Sequence, residues 1–264
     1  MKVAALIPAR FESSRYPGKP LADVRGARGI AKPLIQRTFE AARRVEGLDS
    51  IHVVTDDDRI ASAASGFGAE VIMTSGDCRN GTERCAEALS KLGDPDLVVN
   101  IQGDALLTPP WFIDSLIDLL AFDDAQVATP AMRLRSTEVR TLQEEESAGR
   151  VGGTTVVTDN AGRALYFSKR LIPHLPPGAL DGEMSPVLLH VGVYAYRPAA
   201  LAAYAAIPPA ALEELEGLEQ LRFLAAGISV AVVEVEPPPY ALRELNNPED
   251  MAPIEEALAS AGIE

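Results

Sequence analysis

Arg10, Arg15 and Lys19 stand on one short loop, Pro8-Ala9-Arg10-Phe11-Glu12-Ser13-Ser14-Arg15-Tyr16-Pro17-Gly18-Lys19-Pro20-Leu21. Cations spaced this closely, with Gly18 to let backbone approach a ligand, can neutralise a triphosphate. The loop is not the Gly-x-x-x-x-Gly-Lys-Ser/Thr phosphate loop, because Pro20 follows the lysine. On spacing alone, a solvated loop with scattered charges explains it equally well. Asp104, in Gln102-Gly103-Asp104, is the kind of carboxylate that Mg²⁺ accepts beside phosphate oxygens. A turn or helix-capping aspartate is the commoner use of that residue type. Asn80-Gly81-Thr82-Glu83-Arg84 enters a helix. Its first amides, with Thr82 and Arg84, can hold a base or a phosphate, and an ordinary capped helix start has the same appearance.

The elements that must position these groups follow from the apolar pattern. Residues 2–8, 50–55, 69–74 and 97–102 read as strands, and residues 34–45 and 81–92 as helices, with another helix starting at Pro109-Pro110. The acidic run 56–58 can cap the helix that follows it. Strands alternating with helices imply parallel βαβ units in three layers. After about residue 124 the alternation weakens. Strands are expected at 125–134, 152–158, 164–168, 188–196 and 229–234, and helices at 136–146, 212–226 and 248–261, with a Pro-rich loop at 172–186. The expectation is one α/β domain over residues 1–264, a three-layer, mostly parallel, doubly wound sheet. An inserted subdomain within about 125–226 would cover the site or form a dimer contact. In such sheets ligands bind beyond the carboxyl ends of the strands, which is where all three segments fall.

Taken together the segments resemble the 3-deoxy-manno-octulosonate (Kdo) cytidylyltransferases. The likeness runs through Pro8–Leu21, Thr55-Asp56, Gly81-Thr82-Glu83-Arg84 and Gln102-Gly103-Asp104. It continues in Ala164-Leu165-Tyr166-Phe167-Ser168, His190-Val191-Gly192-Val193-Tyr194, Leu218-Glu219-Gln220-Leu221-Arg222 and Asn247-Pro248-Glu249-Asp250. The resemblance implies a Rossmann-like nucleotidyltransferase fold (GT-A-like), commonly dimeric, with CTP and a small anionic acceptor as partners. CTP and a sugar acid would give the CMP-linked acid and pyrophosphate by in-line attack on the α-phosphate, with Mg²⁺ as cofactor. By the same likeness Arg10 and Lys19 grip the triphosphate, Arg15 joins them, and Ala9, Asn80, Gly81, Arg84 and Gln102 line the cytidine pocket. Asp104 would hold the metal. His190, Tyr194, Glu216, Glu219 and Gln220 fall where the family contacts its sugar acid or shapes that pocket.

The departures concentrate on the acceptor and metal side. The family's Gln-Gly-Asp-Glu-Pro is here Gln102-Gly103-Asp104-Ala105-Leu106, and its second metal aspartate aligns with Asn246, a weaker neutral ligand. A basic residue before the His-x-Gly-x-Tyr motif is replaced by Leu189, and an extra stretch sits around residues 25–31. A retained nucleotide with a changed acceptor fits this pattern. A small phosphonate such as phosphonoformate therefore stands beside Kdo as acceptor, and a catalytically silent CTP-binding homologue is a further alternative.

Bulk composition excludes other classes. With 24 basic and 38 acidic residues, a net charge of −14, the chain is poorly suited to a nucleic-acid polymer. No run approaches the roughly 18–20 apolar residues of a membrane span. The first apolar run, residues 3–8, is too short for a signal peptide, so a cytoplasmic location is expected. Cys78 and Cys85 lack zinc-ligand spacing.

Overall fold

An unbroken apolar strand needs cover on both faces, and Val3–Ala9 (β1) receives it as an interior strand, third from one edge of a ten-stranded sheet. The computed structural model describes residues 1–13 and 15–264. A small hairpin follows β1, Asp23–Arg25 (β2) with Ala31–Pro33 (β3), and then Leu34–Ala42 (α1). Next come Ser50–Thr55 (β4), Asp58–Gly66 (α2), Glu70–Met73 (β5), Gly81–Ala88 (α3), Leu97–Ile101 (β6) and Pro110–Phe122 (α4). Asp57 caps α2, accepting from the backbone N–H groups of Arg59 and Ile60, as the acidic run predicts.

The second half supplies Val127–Arg135 (β7), Ser136–Ser147 (α5), Thr155–Thr158 (β8), Ala164–Ser168 (β9), Met184–His190 (β10) and Val193–Tyr196 (β11). Pro198–Ala206 (α6), Ala211–Glu216 (α7), Leu221–Ala225 (α8), Val230–Glu234 (β12) and Met251–Ala261 (α9) complete it. The strand order is β5-β4-β1-β6-β11-β7-β10-β8-β9, with β12 alongside β7. Strands β5, β4, β1 and β6 are parallel; beyond β6 the ladders are antiparallel except that of β12 with β7. Val3, Ala5 and Ile7 of β1 pack with Ile35 and Leu116 on one side, while Leu6 packs with Cys85 and Leu201 on the other. Side chains thus alternate between two helical layers, as the three-layer expectation requires.

Two predicted elements are divided in the structure. The apolar run 188–196 is not one strand: β10 lies on one side of β7, the chain crosses at Val191-Gly192, and β11 pairs on the other side. The predicted helix 212–226 is two helices, because Gly217 adopts a left-handed conformation (φ +61) that ends α7. The loop so created carries Glu219 and Gln220. The extra stretch at 25–31 is the β2–β3 hairpin, and it clasps the chain's end. Ala27 N–H donates to the Ile263 carbonyl at 2.9 Å and Arg28 N–H to Glu264 Oε2 at 2.9 Å. Among the described residues no helix is long and apolar enough to cross a membrane.

Candidate functional site

The cationic loop is shaped by Gly18, whose φ of +72 suits glycine and whose N–H donates to the Phe11 carbonyl at 2.9 Å. A β-carbon at Gly18 would also meet the Phe11 ring at 3.1 Å. The closed loop delivers Lys19 to the carboxyl end of β6, where its Nζ donates to Asp104 Oδ2 at 2.5 Å. Gly103 makes that meeting possible, because a β-carbon there would stand 2.7 Å from the Pro8 carbonyl oxygen. The ends of β1 and β6 approach too closely for any side chain at this position.

A cleft of about 250 Å³ opens between the loop and the start of α3, and all eight predicted nucleotide residues line it: Ala9, Arg10, Arg15, Lys19, Asn80, Gly81, Arg84 and Gln102. Asn80 caps α3, its Oδ1 accepting from Glu83 N–H at 2.8 Å while its Nδ2 donates to Tyr204 Oη at 3.1 Å. The capping role and the position in the cleft therefore coincide. Arg84 is buried, donating to Thr74 Oγ1 at 2.6 Å and pairing with Asp56 at 3.2 Å. Gly81 is pressed against Gln102 and Pro8, so that a β-carbon would meet both at 3.2 Å. These contacts hold the floor of the cleft rigid.

A larger cavity of about 780 Å³ adjoins the first, lined by His190, Tyr194, Glu219 and Gln220 among others. Arg15, Gln102, Asp104, Glu219 and Asn246 line both. Glu216 shapes the larger cavity from behind, holding Lys169 and preceding Gly217, both of which line it. Its carboxylate accepts from Ser168 Oγ at 2.8 Å and Lys169 N–H at 2.9 Å, tying α7 to the end of β9 instead of lining the cavity. The break at Gly217 turns the next residues the other way. Glu219 Oε2 accepts from Thr82 N–H at 3.0 Å and Thr82 Oγ1 at 2.7 Å, fastening the cavity wall to the helix start. Burial pushes the Glu219 carboxyl up, and its bonds from Thr82 and Gly81 oppose that shift. The Gln220 Nε2 amide is buried with no partner, an unsatisfied donor on a residue that lines the cavity.

His190 sits beside Phe167 and Tyr194, and burial lowers its pKa from 6.5 to about 3. Thr129 Oγ1 lies 2.8 Å from the Val193 carbonyl and donates to it, so it accepts from His190 Nε2 at 2.9 Å. Nε2 then carries the proton and Nδ1 is an acceptor, with the ring neutral at any working pH. The depressed pKa has a stability consequence. Above pH 6.5 neither state is protonated there; below it the unfolded chain takes up a proton that the fold refuses. Stability should fall with acid between pH 6.5 and 3, by at most about 1.4 kcal/mol per pH unit from this group. Urea melts from pH 7 to 4 should show a shallower acid decline in His190→Phe than in the wild type, and equal slopes would mean that the folded ring accepts a proton freely.

Sequence reading missed Lys169, Arg243 and Glu244, all on the wall of the larger cavity. Leu245 is buried against Leu34, Leu106 and Ile254, while Leu242, Arg243, Glu244 and Asn246 around it line the cavity. The expected metal ligands are less symmetric than the alignment suggests, for Asn246 Oδ1 already accepts from Arg15 Nη2 at 2.9 Å. Among the described residues no group of three or more His, Cys, Asp or Glu forms a closed cage. The Asp104 carboxylate and the Asn246 amide oxygen, both at the junction of the two cavities, are oxygen donors of the kind Mg²⁺ takes beside phosphate oxygens and water.

Residues 4–231 match the protein family described as Cytidylyltransferase. The chain belongs to that family. It is 40% identical to a 3-deoxy-manno-octulosonate cytidylyltransferase of Maricaulis maris, aligned over 99% of each chain. It is 41% identical to an 8-amino-3,8-dideoxy-manno-octulosonate cytidylyltransferase of Shewanella sediminis, over 98% of this chain and 99% of that one. A solved CMP:2-keto-3-deoxy-manno-octonic acid synthetase, complexed with CTP, superposes with a TM-score of 0.83 at 33% identity, covering 98% and 99% of the two chains. A 4-diphosphocytidyl-2C-methyl-D-erythritol synthase from Anaerococcus prevotii shares the fold alone, at a TM-score of 0.59 and 16% identity. The cytidylyltransferase fold thus carries the α/β nucleotidyltransferase architecture expected from the sequence.

Proposed function

We propose that the chain transfers the cytidylyl group of CTP to a hydroxyl of a Kdo-type eight-carbon keto sugar acid, releasing pyrophosphate. The observation that carries this reading is the junction of two cavities at Asp104 and Arg15. A nucleotide in the smaller one and an acid in the larger one would meet at the α-phosphate. The acceptor oxygen attacks that phosphorus, the bond to pyrophosphate breaks, and the hydroxyl proton passes to water. No covalent enzyme intermediate is needed, so the protein's work is positioning and charge neutralisation.

Arg10 and Lys19 bind the phosphates from the loop, and Arg15 stands between the two ligands. The orphaned Gln220 amide donates to an acceptor oxygen, and neutral His190 accepts from an acceptor hydroxyl. Bound Mg²⁺, held by Asp104, would supply further neutralisation at the phosphates. The relatives named above act, by their names, on manno-octulosonates, and a cavity of about 780 Å³ suits an eight-carbon acid. The phosphonate reading has no such support and is not carried further. Intact phosphate-binding residues likewise favour a working enzyme over a silent homologue.

Pyrophosphate release should be measured with CTP, UTP, ATP and GTP against Kdo, its 8-amino derivative and phosphonoformate. The expected result is turnover with CTP and an octulosonate, with the other nucleotides at least about 10²-fold slower, because a pocket that hydrogen-bonds one base edge leaves polar groups unpaired against the others. No release with either octulosonate, under conditions where CTP binds, defeats the proposal.

A further inference from the structure

The alignment of Asn246 with the family's second metal aspartate leaves this chain short of one carboxylate, and the geometry points to Glu244 as its replacement. We propose that Asp104 and Glu244 together hold the divalent cation, with Asn246 serving as a strut between Arg15 and Glu244. The inference rests on the metal-dependent reading above and extends it to a residue that sequence comparison passes over.

Four observations bear on it. Leu245 is fully buried among Leu34, Leu106 and Ile254, which anchors the segment whose Glu244 and Asn246 line the cavity. Glu244, Asn246 and Asp104 then line the same cavity. The Asn246 amide is occupied: its Oδ1 accepts from Arg15 at 2.9 Å, and its backbone N–H donates to Asp250 Oδ2 at 3.0 Å, so residue 246 is pinned. Glu244 differs. Its side chain lines the cavity and is open to solvent, and a methylene longer than aspartate it reaches back from two positions earlier in the chain.

Charge supports the same assignment. Among the described residues Asp104 has the Lys19 ammonium as its ion-pair partner, whereas Glu244 has none. Asp104 and Glu244 share the wall of the larger cavity. Two neighbouring carboxylates in a walled cavity repel each other, and a divalent cation between them removes that repulsion while taking its preferred oxygen ligands. Lys19, relieved of Asp104, would then be free for a phosphate oxygen. The unpartnered, buried Gln220 amide on the same wall marks the cavity as built for ligands.

The test is Mn²⁺ binding, read by electron paramagnetic resonance of the free ion, on the full chain with a non-hydrolysable CTP analogue. Glu244→Gln is expected to weaken Mn²⁺ binding at least about tenfold, as loss of a carboxylate ligand should, and Asn246→Ala to change it less than about threefold. Glu244→Asp should recover part of the loss. Thermal melts of each variant without metal check that the fold is kept. Unchanged Mn²⁺ affinity in Glu244→Gln, or an equal loss in Asn246→Ala, overturns the inference and leaves the metal-dependent reading standing. A wild-type protein that turns over CTP yet binds no Mn²⁺ overturns both.

Discussion

Lys19→Ala should lower turnover at least about 10²-fold, with little change in the unfolding midpoint. Lys19 sits on a short turn behind Gly18, with 17% of its side chain exposed, and its sole ion-pair partner among the described residues is Asp104. It packs no core, so stability has little reason to depend on it. On the proposed reaction its ammonium would neutralise charge developing on the departing pyrophosphate, and removing one preorganised group of that kind typically costs about 10²–10³-fold in rate, about 3–4 kcal/mol. Arg10→Ala should behave alike from the same loop, and Arg10→Lys should be a poor substitute if the guanidinium grips phosphate in two places. Steady-state pyrophosphate release and a thermal melt on each variant decide the matter. Near-normal turnover in Lys19→Ala would return the loop to a solvated turn with scattered charges.

The largest effect on stability is expected at Arg222, whose side chain is 1% exposed. Its Nε and Nη2 donate to the Glu213 carboxylate at 2.7 and 2.5 Å, and Nη1 donates to Glu83 Oε1 at 3.0 Å. The guanidinium also lies 4.0 Å over the Tyr204 ring. One side chain therefore joins α3, α6, α7 and α8, and through α3 it steadies the start of the helix facing the nucleotide. Arg222→Ala leaves the buried Glu213 carboxylate without its partner, a loss of about 3–5 kcal/mol. For a chain of this size that corresponds to roughly 6–20 °C in the unfolding midpoint. Arg222→Met combined with Glu213→Leu should recover much of the loss, because removing both charges abolishes the stranded anion. Calorimetry of the single and double variants tests this, and a double variant no better than Arg222→Ala would show that packing, not the buried charge, accounts for the effect.

Both predictions draw on residues whose importance was unequally visible beforehand. Lys19 announces itself through its loop: glycine, lysine and proline in succession, two arginines nearby, and a strand just before. Arg222 reads as a charged residue in an amphipathic helix. Only the packing of α7 against α8 shows that it is buried and doubly paired. The contrast between Glu216 and Glu219 has the same origin. Three residues apart, they would share a face on a continuous helix, but Gly217 ends α7 and sends one to β9 and the other to α3.

The sequence by itself determined the class of fold, the strands and helices of the first half, and the residues that line the smaller cleft. Those features are written in neighbouring residues: apolar period, capping groups, a glycine where backbone must come close. The tertiary structure alone decided which side of β7 each half of the 188–196 run would pair on, and that the two cavities meet at Asp104 and Arg15. It alone showed that Asn246 is held by Arg15 while Glu244 faces Asp104's cavity. Strand partners and cavity walls come from contacts between residues tens to hundreds of positions apart, and an apolar run looks the same whichever partner it takes. Charge on a side chain is legible in its type, but whether that charge meets solvent, a partner or a ligand is settled only when distant segments close around it.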